Sequence, residues 1–277
     1  FALMQHVSQS MAGRTAVLTL LPLSTQEIDL VSPETDTDMR ILRGGYPAIW
    51  KIDDEGRNVL LSNYYTTYVE RDLHSLINIK DLSQFHSFIR LCAGRIGTEF
   101  VASSLAVEVG VSVPTIQSWL SILEASYVVY RLYPYHANIG KRLTKTPKLY
   151  FYDTGLVCYL TKWSSTETLE SGAMNGAILE NYVVSEIAKT YLNCGQEPFM
   201  YYYRDKDAKE IDIVLEHDGV LNPIEIKKTS NPGTELTKVF SLLDKASVPR
   251  DKGAIICMKP SLGAIDRDNY IVPVWMI

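Results

Sequence analysis

The chain has 277 residues, 46% hydrophobic and 21% charged, which excludes a disordered or fibrous chain and leaves room for one large domain or two to three small ones at about 100–200 residues each. Lys plus Arg number 27 and Asp plus Glu 32, for a net charge of −5; a wholly basic nucleic-acid coat protein is excluded, a local basic patch is not.

In chain order, residues 15–20 alternate as a strand does and Pro22 makes a turn, so residues 1–30 are expected to be the last strand of another domain. The apolar run at 16–23 is short, holds Thr19 and Pro22, and lacks the small-residue exit site of a signal peptide. A first residue of Phe1 rather than Met points to a piece of a longer protein. Residues 31–38 are polar and read as a linker, and Gly44-Gly45-Tyr46-Pro47 as a turn. Leu61, Tyr65, Tyr68, Val69, Leu73, Leu76 and Ile77 recur at helical spacing. Glu70, Arg71 and Asp72 form a charged triplet inside that helix, and an ion pair to neighbouring elements is its expected role. A further helix is expected from Asp81, a good N-cap, through Phe85, Ile89 and Cys92.

Residues 98–132 predict a helix, a turn at Gly110-Val111-Ser112, and a second helix capped by Ser112 with Pro114 in its first turn. Ile116, Trp119, Leu120 and Leu123 form the inner face of that second helix. Residues 127–132 and 148–152 read as paired strands, and the loop between them carries Lys141, Arg142, Lys145 and Lys148 without one acid. Helix, turn, helix and hairpin predict a winged helix-turn-helix with a basic wing, within a helical domain at 38–165. Residues 80–150 hold 8 basic and 4 acidic side chains, the local excess expected where one module of an acidic protein meets phosphate. Thr115, Gln117 and Ser118, with Ser112, would face bases and phosphates from the second helix. The wing cations would supply salt-sensitive phosphate contacts. Winged helices also bind proteins, so a partner protein is the alternative to DNA.

Residues 170–277 change rhythm. A helix at 175–192 precedes strands at 199–203, 211–215 and 220–227, the last two turning at His217-Asp218-Gly219. A helix at 235–244, a buried strand at 253–258 and a last strand at 270–275 follow, so a small α/β layer domain is expected. Here lies the strongest chemical signal, Glu210-Ile211-Asp212 followed by Glu225-Ile226-Lys227. Strand alternation turns Glu225 and Lys227 to one side, with Asp212 on the adjoining strand. Two carboxylates and an ammonium so placed suit Mg²⁺ at Asp212 and Glu225. The metal would activate a water, and Lys227 would orient it or stabilise charge. Glu180, on the preceding helix, could complete the ligand set. The isoleucines flanking these charges would bury them, which is costly unless they are used.

The four cysteines, Cys92, Cys158, Cys194 and Cys257, are too far apart for a zinc knuckle or a redox pair and read as the reduced thiols of a cytoplasmic protein. His6, His74, His86, His136 and His217 have no metal-ligand spacing. No apolar run reaches the ~18 residues of a membrane helix, so no membrane is expected.

Asp212…Glu225-x-Lys227, with Glu180 ahead of it in an α-β-β-β-α-β frame, resembles the PD-(D/E)xK nuclease superfamily, although Ile211 stands in place of the namesake Pro and no Gln-x-x-x-Tyr element follows Lys227. End to end the resemblance is wider. Ala12-Gly13-Arg14, Leu21-Pro22-Leu23-Ser24, Gly44-Gly45-Tyr46-Pro47, Tyr68-Val69-Glu70-Arg71-Asp72, Tyr152-Asp153-Thr154-Gly155-Leu156, Gly176-Ala177-Ile178-Leu179-Glu180-Asn181 and Glu210-Ile211-Asp212 occur in the order of a prokaryotic family of AAA+-like ATPases with an uncharacterised C-terminal domain. The resemblance implies a restriction-endonuclease-like α/β fold at 170–277, a winged helix before it, and an ATPase-domain remnant at 1–30. It also implies a parent that binds ATP and Mg²⁺, whose own ATPase domain would be a partner of this chain. No Gly-rich loop ending in Gly-Lys-Ser/Thr is present; Gly94-Arg95-Ile96-Gly97 has no Lys and the wrong spacing. ATPase activity is therefore not expected of this chain. The resulting expectation is a DNA-associated, nuclease-like module, with a non-enzymatic interaction module as the alternative.

Overall fold

The computed structural model describes residues 19–33, 36–72, 82–138 and 145–277, with the backbone alone for residues 69–72. The strand expected at 15–20 falls mostly outside these residues, as do the Asp81 cap, Lys141, Arg142 and the side chains of Glu70, Arg71 and Asp72. The architecture is mixed α/β, a helical N-terminal half followed by a six-stranded mixed sheet.

The first described element is a short helix after the Pro22 turn. Ser24 and Glu27 cap each other reciprocally at the start of α1, Thr25–Asp29, which satisfies backbone N–H groups that a helix start otherwise leaves open. Asp36 caps α2, Thr37–Arg43, accepting from the N–H of Asp38 at 2.8 Å, so the polar linker ends sooner than its composition implies. A 3₁₀ turn, Pro47–Lys51, leads into α3, Asp54–Tyr64, which continues as a π-helical segment, Tyr65–Asp72. Gly44 has φ +70°, and an added Cβ would lie 2.6 Å from both carboxyl oxygens of Asp153. Only glycine lets Asp153 approach closely enough to accept from the Gly45 N–H at 2.7 Å while capping a later helix through the Leu156 N–H at 2.6 Å.

The next three helices are α4, Leu82–Ala93, α5, Ala102–Val109, and α6, Val113–Ala125. Gly110, at φ +77°, ends α5 in the left-handed conformation that favours glycine, and Ser112 caps α6. The chain bends by 107° between α5 and α6. Ile116, Trp119, Leu120 and Leu123 are buried, as the spacing predicts, with Trp119 edge-on to Phe85 of α4 at 5.2 Å. Strands β1, Val129–Leu132, and β2, Lys148–Phe151, pair antiparallel. Two short helices follow, α7, Thr154–Thr161, and α8, Thr166–Ser171, neither of which is among the elements expected from the sequence.

The second half opens with the 19-residue helix α9, Asn175–Asn193. The sheet strands are β3, Met200–Arg204; β4, Glu210–His217; β5, Val220–Lys227; β6, Gly253–Cys257; β7, Gly263–Ala264; and β8, Asn269–Pro273. Their spatial order is β3-β4-β5-β6-β8-β7. The first three are antiparallel, whereas β5, β6 and β8 run parallel. The helix expected at 235–244 is a 3₁₀ run, Thr234–Lys245, crossing from β5 to β6, and the two-residue β7 carried no sequence signal.

The halves share one hydrophobic core, which extends from Ile41 and Leu42 through Trp119 and Tyr150 to Ile213, Ile224 and Ile226. Side chains stitch them together. The Asn181 amide accepts from the Phe151 N–H at 2.7 Å and donates to the Phe151 carbonyl at 2.9 Å, so α9 satisfies the free edge of β2. Tyr202 of β3 exchanges backbone hydrogen bonds with Tyr133 and Tyr135. Residues 21–25 lie on α9: Thr25 donates its N–H to Glu186 at 2.8 Å, its hydroxyl meets the Tyr182 hydroxyl at 2.6 Å, and Lys189 reaches the Leu23 carbonyl at 3.1 Å.

Candidate functional site

Asp212 and Glu225 come together where the β4–β5 ladder ends. The last registered pair is Ile213 opposite Ile224. One step further, the Asp212 carboxylate replaces a main-chain acceptor and takes the Ile226 N–H at 2.8 Å. Lys227 lies two residues beyond Glu225 on the same face of β5. Its ammonium is 2.7 Å from Glu225 Oε1 and 3.5 Å from Asp212 Oδ2. The Asp212 and Glu225 side chains are 11% and 9% exposed, whereas the Lys227 side chain is 41% exposed. The isoleucines beside them do bury the two charges, and the lysine keeps contact with solvent.

Glu180 reaches the cluster from α9, but its Oε1 is already held by the Lys148 ammonium at 3.1 Å and the Tyr150 hydroxyl at 2.5 Å. Lys148 also pairs with Glu210. Gly97, at φ +71°, passes so near that an added Cβ would lie 3.4 Å from each Glu180 carboxyl oxygen.

The electrostatics follow from this crowding. Burial first, and then the neighbouring Asp212 charge, push the Glu225 carboxyl up to about 7, against the pull of Lys227. Burial likewise raises Glu180, opposed by Lys148 and reinforced by Asp212. Desolvation works against the charge on Lys227, but Asp212 and Glu225 more than offset it, and the ammonium lies above its usual range. Lys148 behaves the same way between Glu180 and Glu210. Glu225 Oε2 is buried with no hydrogen-bond partner among the described residues, an uncommon condition for a carboxylate oxygen. Among the described residues, no three His, Cys, Asp or Glu side chains form a ready-made metal-binding group.

The expectation for Lys148 is corrected. It is not a surface cation of a wing but the first residue of a fully buried strand, only 3% exposed. An ammonium taken out of water needs anionic partners, and Glu180 and Glu210 supply them, so Lys148 has no face to offer to phosphate. Lys145 is exposed and lines a polar groove of about 440 Å³ with Thr146, Tyr202, Arg204 and Lys206. On α6, Gln117 and Ser118 are exposed and Thr115 is half-buried. Sequence reasoning gave Lys148 and Tyr150 no place in the carboxylate cluster, and gave Glu210, though part of the Glu210-Ile211-Asp212 motif, no role in it. The available signals were a lysine opening the apolar run Leu149-Tyr150-Phe151 and an acid two residues before Asp212 on the same strand.

Residues 34–167 match the family described as domain of unknown function DUF8612, and residues 175–277 match domain of unknown function DUF4143. An uncharacterized protein of Mycobacterium bovis and one of Mycobacterium tuberculosis are each 31% identical to the chain over 239 residues, covering 86% of this chain and 52% of the relative. An uncharacterized protein of Haemophilus influenzae is 25% identical over 219 residues, 74% of this chain and 51% of the relative. The chain thus spans about half the length of the curated relatives it matches. No solved structure gives a significant match. No single helix among the described residues is long and apolar enough to cross a membrane. Cys92, Cys158 and Cys257 are buried free thiols and Cys194 is exposed.

Proposed function

We propose that the chain is the DNA-associated, nuclease-like part of a longer ATPase-type protein, with Mg²⁺ held by Asp212 and Glu225. The observation that carries this reading is the buried Oε2 of Glu225, which no described residue meets, beside a second buried carboxylate. Such an oxygen is costly unless something meets it, and Mg²⁺ characteristically uses one or two carboxylates plus water and phosphate oxygens. Bound there, the metal would acidify a water and offset charge on a scissile phosphate. Asp212 and Glu225 would hold it, and Lys227, flexible and half in solvent, would orient the water or meet the developing charge. Glu180 would add a carboxylate from α9.

The helical half supports a winged-helix reading, since two helices bent by 107° precede a two-stranded hairpin. The order α9, then β3, β4 and β5 antiparallel, then a parallel β6, supports an endonuclease-like reading of the second half. DNA would lie along α6 and the cationic loop that includes Lys145, with Lys141 and Arg142 outside the described residues. ATP binding is assigned to the part of the longer protein beyond this chain, in keeping with relatives of which the match covers 52%.

A second reading, a non-enzymatic module that grips a partner protein or DNA, draws support from the lysines that already pair with all four acids, Glu180, Glu210, Asp212 and Glu225. Calorimetric titration with Mn²⁺ and with Mg²⁺, on the wild-type chain and on Asp212→Ala, separates the two. The nuclease reading expects heat of binding that disappears in the variant, together with metal-dependent nicking of plasmid DNA. A wild-type chain that neither binds cation nor nicks plasmid leaves the interaction module.

A further inference from the structure

Glu180 belongs to the second half of the chain, but its carboxylate is held by the first half. Lys148 and Tyr150 are alternate residues of β2, so both project from one side of that strand, and both donors converge on the same oxygen, Glu180 Oε1. The Lys148 ammonium simultaneously takes Glu210, two residues before Asp212 on β4. A single buried cation therefore joins the acid of α9 to an acid of the strand that carries Asp212. Next along α9, Asn181 fastens its amide to both backbone groups of Phe151, so helix and hairpin are joined at consecutive positions. Lys148 is 3% exposed, against 41% for the Lys227 side chain. One lysine of the cluster can leave into solvent without disturbing the fold, while the other can leave only if β2 moves.

We propose that β2 is a lock on the cation site: Lys148 and Tyr150 hold Glu180 out of the ligand set of Asp212 and Glu225, and displacement of the β1–β2 hairpin releases it. This rests on the reading of Asp212 and Glu225 as cation ligands and adds its control. Whatever engages the helical half, whether a nucleic acid on α6 or the remainder of the longer protein, would then set cation affinity in the other half through one strand. The lock is local, because β2 contacts α9 directly, and it requires only that two donors release one carboxylate oxygen.

The test is Mn²⁺ titration by calorimetry on the full chain, comparing wild type, Asp212→Ala, Lys148→Met and Tyr150→Phe. Tyr150→Phe is the decisive variant. It removes one of the two donors to Glu180, changes no charge, and keeps the buried ring, so it folds even if Lys148→Met does not. The lock expects Tyr150→Phe to bind Mn²⁺ several-fold more tightly than wild type, and Lys148→Met, where folded, more tightly again. Affinity in Tyr150→Phe equal to or weaker than wild type, with binding still abolished by Asp212→Ala, overturns the lock and leaves the cation site standing. No Mn²⁺ binding by any of the four chains overturns the cation site and the lock with it. Binding by the two β2 variants in the absence of wild-type binding supports both.

Discussion

The carboxylate of Asp212 accepts the backbone N–H of Ile226 at 2.8 Å, across the point where main-chain pairing of β4 and β5 gives out. A side chain that could serve a metal is thus also a structural member of the sheet, and its two roles can be separated by substitution. Asp212→Asn keeps an oxygen for the Ile226 N–H and should unfold in urea close to wild type, while losing cation binding by calorimetry. Asp212→Ala leaves a buried N–H without an acceptor and should be less stable by about 1–3 kcal/mol.

Glu225 makes stability depend on pH. Its carboxyl titrates near 7 in the folded chain, against about 4.3 when unfolded. Its folded value is the higher one, so the folded state binds the proton more tightly. The contribution is fully present below the unfolded value and is lost as pH rises through 7. Denaturant midpoints should fall between about pH 5 and pH 8, by an amount on the order of 2 kcal/mol, and Glu225→Gln should flatten that dependence. An unchanged slope in the variant would remove Glu225 as its source.

Lys148 and Lys145 lie three residues apart and should respond oppositely. Removing the buried Lys148 leaves Glu180 and Glu210 without their counter-ion, and Lys148→Ala is expected to cost about 3–5 kcal/mol. Lys145→Ala, at an exposed position, should change stability by less than about 0.5 kcal/mol. Equilibrium unfolding of the two variants checks both.

If the α6 face and the cationic loop meet DNA, affinity for a short duplex should drop steeply between about 50 and 200 mM salt. Lys145→Glu should lower it further and make the salt slope shallower by about one contact. Fluorescence anisotropy at three salt concentrations measures both quantities. Binding indifferent to salt and to Lys145→Glu would direct attention to a protein partner.

Two glycines give a graded test of the fold. Gly110→Ala keeps space around the new Cβ, whose nearest neighbour is Gln84 at 3.6 Å, but strains a φ of +77°, at a cost of about 1–2 kcal/mol. Gly44→Ala adds to similar strain a Cβ 2.6 Å from the Asp153 carboxylate, and should lose clearly more, with overpacking adding about 1–3 kcal/mol. Thermal melts of the two variants should rank in that order.

Sequence by itself determined whatever depends on local period and local chemistry. The inner face of α6 at Ile116, Trp119, Leu120 and Leu123 follows from helical spacing. The turns at Gly110 and Gly219 follow from residue type, and the meeting of Asp212, Glu225 and Lys227 follows from strand alternation across one hairpin. Tertiary structure decided which charges are buried and with whom. Lys148 looks like any loop lysine until Glu180, 32 residues away on α9, and Glu210 on β4 close around it. The same holds for residues 21–25, whose polar groups find Tyr182, Glu186 and Lys189 only because α9 passes beside them. Spacing along a chain reports which face of an element is apolar. Whether an ammonium is in water or held between two carboxylates is set by partners distant in sequence, because desolvation and pairing depend on distance in space.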